Sequence, residues 1–214
     1  MVKIVTTWSG TGEFKSSHVQ SLARQCAQFA PGVDFICITP GKIPGVDCRP
    51  GTHDWPGWWH KYEIFAPHIR GKILYMDIDT VVIGKLDELL KVDKLTLLRD
   101  AYRAGKKFKE GLQASLMLLP DADRAEIWED WIRHPDMHMQ RLGYKGDQPM
   151  LEDHFLKRAQ RWQDVVPGQT VSWKVDCGGG NLFRPAIIPE NVRLIFFHGR
   201  PRPWQCKEFE ELYT

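Results

Sequence analysis

The sequence lacks any long hydrophobic run and any large excess of charge of one sign. No apolar stretch approaches the roughly 18 to 20 residues that a membrane-spanning helix needs, and Met1–Thr7 has no apolar core of the signal-peptide kind. The 214 residues hold 29 Lys and Arg against 27 Asp and Glu, a formal net charge of +2. That balance argues against a dedicated non-specific nucleic-acid binder. We therefore expect a cytoplasmic protein without a membrane span.

Cysteines are few, and their spacing fits neither a zinc site nor a disulfide framework. The five cysteines are an odd number and form no C-x-x-C pair, so we expect reduced thiols. The chain also lacks internal repeats, low-complexity tracts and Ser/Gly linkers. The length and the 43% hydrophobic content are typical of a folded protein, which predicts a single domain over residues 1–214.

Tryptophan is the residue type present in excess, with nine copies. Tryptophan lines many cofactor, sugar and nucleobase sites, but its commoner role is packing in cores and interfaces. We expect most of the nine to be structural.

Hydrophobic periodicity predicts alternating strands and helices in the first half of the chain. The predicted strands are Val2–Thr7, Val33–Thr39 and Ile73–Met76. One predicted helix begins near Ser16, and a second spans Gly57–His68. A Gly- and Pro-rich loop is predicted over Pro40–Pro56. The second half predicts strands at Leu95–Leu98, Ala114–Leu119 and Val192–Phe197 and helices at Asp123–Arg133 and Asp147–Gln160. The β-α-β order favours a largely parallel α/β sheet with flanking helices.

Two carboxylates, Asp77 and Asp79, follow the predicted strand Ile73–Met76. Ligands of open α/β sheets bind at the carboxyl ends of strands. Two carboxylates one residue apart repel each other, and a divalent cation with oxygen ligands relieves that repulsion. A solvated acidic turn is the alternative. The apolar residues on both sides favour a metal site, because a carboxylate pair between buried segments must be neutralised.

A second cluster of polar residues, His198–Trp204, follows the last predicted strand. A histidine at a strand end can bind a metal, Gly199 permits close approach of a ligand, and Arg200 and Arg202 can hold phosphate oxygens. The alternative is a structured tail with a buried histidine and tryptophan.

Three weaker signals lie elsewhere in the chain. Lys61 can reach a phosphate or lie on the surface, and Asp147 can face a substrate or cap a helix. Gly10-Thr11-Gly12 follows the first strand without completing a dinucleotide-binding fingerprint. The chain has no P-loop, which excludes a P-loop NTPase.

In their order and separation these motifs resemble the GT-A-fold glycosyltransferases of family 8, the glycogenin- and galactosyltransferase-like group, and especially its small bacterial and phage members. The resemblance spans nearly the whole chain. It rests on Trp58-Trp59-His60-Lys61, Asp77-x-Asp79, Ser115–Leu118, Gly146-Asp147-Gln148 and His198-Gly199-x-x-Arg202-Pro203-Trp204. The chain departs from the family at Gln113-Ala114-Ser115, where an Asn-x-Gly segment is usual, and at Arg202, where lysine is usual.

The resemblance implies metal-dependent transfer of a sugar from a nucleotide-sugar donor, by the family's habit a UDP-sugar, to a hydroxyl acceptor. It implies Asp77, Asp79 and His198 as ligands of Mn²⁺ or Mg²⁺. Further donor contacts would come from Thr6, Thr7, Trp8, Lys61, Ile78, Gly199 and Arg202. Asp147 and Gln148 would be the catalytic residues, facing the transferred sugar and the acceptor.

Two other functions stay open. Asp77–Val81 fits the aspartyl-phosphate motif of haloacid-dehalogenase-like phosphatases, with Asp77 as nucleophile, Asp79 as acid/base and Asp147 with Asp153 near the magnesium. That motif normally ends the first strand of its domain, whereas two predicted strands precede it here. A non-catalytic nucleotide- or glycan-binding module is the other alternative.

The acceptor is not fixed by these residues. The candidates are a glycan, a lipid-linked sugar, a protein side chain, a small metabolite and a hydroxymethylated DNA base. The basic, aromatic stretch Tyr102–Lys109 could contact phosphates, but such a charge run is more often a solvated face, and DNA is not favoured.

Overall fold

The computed structural model describes residues 2–102, 111–179 and 185–213. The stretch Tyr102–Lys109 lies outside these residues except for Tyr102. A central seven-stranded sheet has the order β3-β2-β1-β4-β7-β6-β8, and a smaller sheet has the order β5-β10-β9. The strands are β1 (Lys3–Thr7), β2 (Phe35–Ile38), β3 (Asp47–Arg49), β4 (Ile73–Met76), β5 (Val81–Val82), β6 (Thr96–Arg99), β7 (Leu112–Leu119), β8 (Gln160–Arg161), β9 (Thr170–Ser172) and β10 (Leu194–Phe196).

Six α-helices and five 3₁₀ segments flank the sheets in the described part of the chain. The helices are α1 (Ser16–Phe29), α2 (Asp87–Lys91), α3 (Ala125–Arg133), α4 (Pro135–Leu142), α5 (Gln148–Phe155) and α6 (Trp162–Val165). The 3₁₀ segments are Gly57–Phe65, Asp121–Asp123, Gly143–Lys145, Pro203–Gln205 and Lys207–Leu212. None of the described helices is long and apolar enough to cross a bilayer.

The predicted α/β sheet is confirmed, and it is mostly parallel. Strands β3, β2, β1 and β4 run parallel, whereas β7 is antiparallel to both β4 and β6. The chain runs from β1 outward to β2 and β3, and then returns to place β4 on the other side of β1. The carboxyl ends of β1 and β4 therefore flank the point where the strand order reverses, which is where such sheets bind ligands.

Several element predictions need correction. The predicted loop 40–56 contains β3, a three-residue edge strand too short to show a period of two. The predicted helix 57–68 is a 3₁₀ helix that ends at Phe65. The helix predicted to reach Gln160 ends at Phe155, because Gln160 and Arg161 pair with β6 as β8.

Successive residues of the central strands alternate between two cores. Along β4, Ile73 and Tyr75 join one hydrophobic cluster, whereas Leu74 and Met76 join the other. This alternation is the period of two that pleating imposes. Helix α1 covers the second core, while α3, α5 and the segment Gly57–Phe65 cover the first.

The segment Gly57–Phe65 has three distinct faces because residues three apart lie above one another in a 3₁₀ helix. Trp59, Tyr62 and Phe65 share the face that packs into the first core. Trp131 of α3 is fully buried and stacks on Tyr62 with ring centroids 3.8 Å apart. Trp58 and Lys61 share another face, whose next member, Ile64, returns to that core. All five cysteines are free thiols.

We predict that Trp131→Ala lowers the free energy of unfolding by about 3–5 kcal/mol, because it empties a large volume beneath Gly57–Phe65. Urea unfolding followed by far-UV circular dichroism measures this change. Met137→Ala, at a side chain that is 51% exposed on neighbouring α4, is the control and should leave the midpoint nearly unchanged. Equal urea midpoints for the two variants would contradict a stabilising role for the Trp131 side chain.

Candidate active site

A cavity of about 500 Å³ lies at the carboxyl ends of β1 and β4. Thr7 and Trp8 line it from the end of β1, and Asp77–Asp79 line it from the end of β4. Lys61 reaches it from the 3₁₀ segment, and Asp147 reaches it from the start of α5. Residues far apart in the sequence thus meet at the point of strand-order reversal.

Lys61 joins two carboxylates across the cavity floor. Its Nζ lies 3.0 Å from Oδ1 of Asp77 and 2.7 Å from Oδ2 of Asp147, and its side chain is only 9% exposed. Burial alone would lower the pKa of Lys61, but Asp147 and Asp77 outweigh it and hold that pKa well above its ordinary value. Lys61 is therefore a permanent cation that ties β4 to α5.

Asp77 is further fixed by neighbours on the sheet. The Tyr75 hydroxyl donates to its Oδ1 at 2.7 Å, and its backbone N–H donates to the carbonyl of Ser115 at 2.9 Å. Burial raises the pKa of Tyr75 well above its usual value, so this hydroxyl keeps its proton. The carboxylate of Asp77 is consequently oriented before any ligand arrives.

Asp79 pairs with Arg202 from the C-terminal loop, and Arg202 in turn contacts Glu13. The guanidinium Nε donates to Oε1 of Glu13 at 2.9 Å. Burial, and next the negative charge of Asp77, raise the pKa of Asp79 to about 7 despite the opposing effect of Arg202. The acidic pair is thus electrostatically strained in the way its sequence spacing predicts.

The C-terminal segment reaches the cavity because it packs on α1. Trp204 stacks on His18 with ring centroids 3.7 Å apart, and the Ser21 hydroxyl donates to the carbonyl of Leu212. These contacts hold the preceding Arg202 against Asp79.

His198 lies outside the cavity lining. One ring nitrogen, Nε2, is 2.7 Å from the Ser172 hydroxyl, and the ring packs against Tyr102 at 4.3 Å between centroids. The other nitrogen, Nδ1, is buried without a hydrogen-bond partner among the described residues. Burial, and then the charge of Lys174, lower the pKa of His198, which favours the neutral imidazole that metal ligation requires.

The donor set fits a hard divalent cation in part. Asp77 and Asp79 offer oxygen ligands in one buried place, and the unpartnered Nδ1 of His198 is an available nitrogen ligand. Among residues 2–102, 111–179 and 185–213, however, no three His, Cys, Asp or Glu side chains gather closely enough to hold an ion. In this conformation Lys61 and Arg202 neutralise the two aspartates instead.

The cavity gathers most, but not all, of the sequence-predicted site residues. Those that line it are Thr7, Trp8, Lys61, Asp77, Ile78, Asp79, Asp147 and Arg202. Thr6, Gln148, His198 and Gly199 do not line it. Thr6 is fully buried in β1, and the Gln148 side chain donates to Asp100 at 3.0 Å. Thr11 and Gly12, from the weak Gly10–Gly12 signal, do line the cavity.

Sequence reasoning missed four residues of this neighbourhood. Glu13 binds Arg202, Tyr75 orients Asp77, and Trp58 is an exposed wall of the cavity. Lys174 lies beside Gly199, since a Cβ added there would be 3.5 Å from its Nζ. No local pattern identifies Glu13 or Lys174. Trp58 lies within the Trp58–Lys61 motif, but the three-residue period does not reveal its exposure, because Lys61 and Ile64 at the same spacing are buried.

We predict that Lys61→Met destabilises the fold by about 3 kcal/mol, because it leaves two carboxylates unpaired in a largely buried place. Urea unfolding at neutral pH measures the loss. Lys91→Met is the matched control, since Lys91 pairs with Glu88 on the exposed surface, and it should leave the midpoint unchanged. A Lys61→Met midpoint equal to that of the control would contradict the bridging role.

No protein-family model and no curated protein sequence matches the chain. Solved glycosyltransferase structures do match it. GlyE of Streptococcus pneumoniae TIGR4 aligns with 15% identity and a TM-score of 0.72, over 100% of this chain and 60% of GlyE. The bifunctional glycosyltransferase WbbM in its apo form gives 15% identity and a TM-score of 0.59 over 99% of this chain and 48% of WbbM.

The galactosyltransferase LgtC, solved with donor and acceptor sugar analogues, gives 14% identity and a TM-score of 0.58 over 100% of this chain and 95% of LgtC. The chain thus spans about three fifths of GlyE but almost all of LgtC. Structural similarity at 14–15% sequence identity establishes the fold of this chain and nothing finer. The chain has the mixed α/β fold of the GT-A-type glycosyltransferases.

Proposed function

We propose that the protein is a metal-dependent glycosyltransferase of the family 8 kind that uses a nucleotide-sugar donor. The observation that carries the proposal is the cavity at the β1/β4 switch point, which holds Asp77 and Asp79 together with the cations Lys61 and Arg202. Two oxygen ligands beside two phosphate-binding cations suit a diphosphate and its counterion. The glycosyltransferase fold of the neighbours supports the same function.

The charge of the cavity supports a requirement for a divalent ion. Within the part of the chain that the structure describes, its lining contains four carboxylates, from Glu13, Asp77, Asp79 and Asp147, against the two cations Lys61 and Arg202. A nucleoside diphosphate would bring further negative charge into this acidic place. An added divalent cation would offset that charge, with Asp77, Asp79 and His198 as its protein ligands.

The scheme gives the residues around the cavity distinct roles. Trp8 and Thr7 would flank the nucleotide, while buried Thr6 and Ile78 would shape the walls behind it. Lys61 and Arg202 would neutralise charge on the leaving diphosphate. A bound Mn²⁺ or Mg²⁺ would supply Lewis-acid stabilisation of the same oxygens.

The proposed transfer of the sugar needs no oxidant or reductant. The acceptor hydroxyl oxygen forms a bond to the anomeric carbon, and the bond from that carbon to the diphosphate breaks. The electron pair leaves with the nucleoside diphosphate, and the hydroxyl proton is released to solvent. Asp147 faces the cavity and would orient the acceptor hydroxyl, with Gln148 behind it as the second proposed catalytic residue.

The five free cysteines, four of them buried, suit a reducing compartment, which supports the cytoplasm as the place of action.

A phosphatase using Asp77 as nucleophile fits the described residues less well. Asp77 is tied by Lys61 and Tyr75, and Asp153, its proposed magnesium partner, is exposed and does not line the cavity. Hydrolysis of p-nitrophenyl phosphate that is lost in Asp77→Asn would favour the phosphatase. A non-catalytic module would bind nucleotide without turnover of any nucleotide sugar.

We predict that a nucleoside diphosphate binds only with a divalent ion, and that UDP binds best. Isothermal titration calorimetry with UDP, GDP, TDP and CDP, each with and without Mn²⁺, measures this. Asp79→Asn should weaken the metal-dependent binding at least roughly tenfold, which corresponds to about 1.4 kcal/mol. The reason is the loss of a charged metal ligand.

Asp47→Asn is the control, because Asp47 is an exposed carboxylate of the edge strand β3 that forms a surface ion pair with Arg49. It should bind UDP like the wild type. Metal-independent binding of UDP, or full metal-dependent binding by Asp79→Asn, would contradict the assigned site.

A further inference from the structure

Trp58 is the anomaly among the nine tryptophans, all of which lie in the described part of the chain. Five are buried and three are half-buried, whereas Trp58 is 55% exposed. Its indole nevertheless lines the cavity. A large apolar ring left in water at the wall of a cavity commonly marks a ligand contact.

The backbone holds this indole in a defined position. Gly57, with φ of +57°, begins the 3₁₀ segment in a conformation that favours glycine. The ring of Trp58 packs edge-on against buried Trp59, with centroids 6.1 Å apart. The three-residue period of the segment then puts Trp58 on the same face as Lys61. The exposure of Trp58 is therefore built into the fold.

Trp58 lies next to the proposed reaction centre. A Cβ added to Gly146 would be 3.9 Å from Nε1 of the Trp58 indole, and Gly146 directly precedes Asp147. Gly146 has φ of +70°, so a side chain at that position would be strained. The flat apolar ring thus lies beside the backbone that leads into Asp147, and both residues line the cavity.

We propose that Trp58 is the stacking platform for the acceptor, and that the acceptor is a neutral carbohydrate with a pyranose ring. This inference rests on the proposed function. One face of a pyranose presents C–H groups that pack on an indole, while its hydroxyls point to the edges of the ring. The carboxylate of Asp147, which lines the same cavity, would accept a hydrogen bond from such a hydroxyl.

The charge of the cavity selects a sugar over a nucleic acid, although a nucleobase also stacks on tryptophan. A nucleic-acid site needs unpaired cations along the phosphate backbone. Among residues 2–102, 111–179 and 185–213, four lining carboxylates outnumber two lining cations, and both of these cations are held by those carboxylates. A neutral ring meets no such repulsion.

Saturation-transfer-difference NMR tests the inference with methyl β-glucoside, methyl β-galactoside and methyl β-lactoside as probes. Titrations are run with Mg²⁺ and UDP, and again with neither. We expect at least one glycoside to bind the wild type through its ring C–H protons. Trp58→Ala should weaken that binding roughly tenfold or more, as loss of a central aromatic contact does, whereas Trp58→Tyr should retain most of it.

Calorimetric UDP binding separates this inference from the proposed function. Trp58→Ala should bind UDP as the wild type does, and Ile187→Ala, at an exposed apolar residue away from the cavity, should match the wild type in both assays. A wild type that binds UDP but no glycoside, or Trp58→Ala with undiminished glycoside affinity, overturns the platform. Tighter binding of a hydroxymethylcytosine oligonucleotide than of any glycoside overturns the sugar acceptor.

Failure of the wild type to bind any nucleotide overturns the proposed function, and the nucleotide-free titration then still decides whether Trp58 binds sugars.

Discussion

The ion pairs of Lys61 with Asp77 and Asp147 are the constraint on which the rest of the site depends. Without that cation, the end of β4 and the start of α5 would present like charges to each other across a buried floor. The 3₁₀ form of Gly57–Phe65 serves the same bridge, because its three-residue period directs Lys61 to the cavity and Tyr62 to the core. The stacking of Trp131 on Tyr62 anchors that geometry. The same short segment therefore supplies both a core side chain, Tyr62, and the central cation of the site, Lys61.

The electrostatics of the cavity also explain how an acidic site can exist before a metal binds. Arg202 and Lys61 act as built-in counterions for Asp79 and Asp77. Both are also the residues proposed to meet the diphosphate, so donor and metal would enter together, with the cations transferring part of their contact from protein carboxylates to phosphate oxygens. An acceptor stacked on Trp58 would then complete the cavity.

Local pattern predicted much of the fold and the centre of the site. The strands β1 and β4, and the carboxylates that follow β4, are readable because hydrophobic runs and their polar ends are local properties. The edge strand β3 is not, because its pairing with β2 is decided by tertiary packing around a loop rich in glycine and proline. The role of Glu13 likewise cannot be predicted from local sequence, because its partner Arg202 lies far away in the chain. The position of His198 outside the cavity lining depends on Ser172, which no spacing rule connects to it.

The packing of the C-terminal segment on α1 has a consequence for how the site comes into being. Contacts such as Arg202 with Glu13 and Leu212 with Ser21 join opposite ends of the described chain. The central sheet can form from residues synthesised earlier, yet Asp79 receives its counterion only after the segment that contains Arg202 has been synthesised and has docked. Until then a growing chain would hold a folded sheet with an unpaired Asp79 at the edge of the cavity. Folding and acquisition of donor-binding competence would be separate events in time, with the second governed by closure of a long loop.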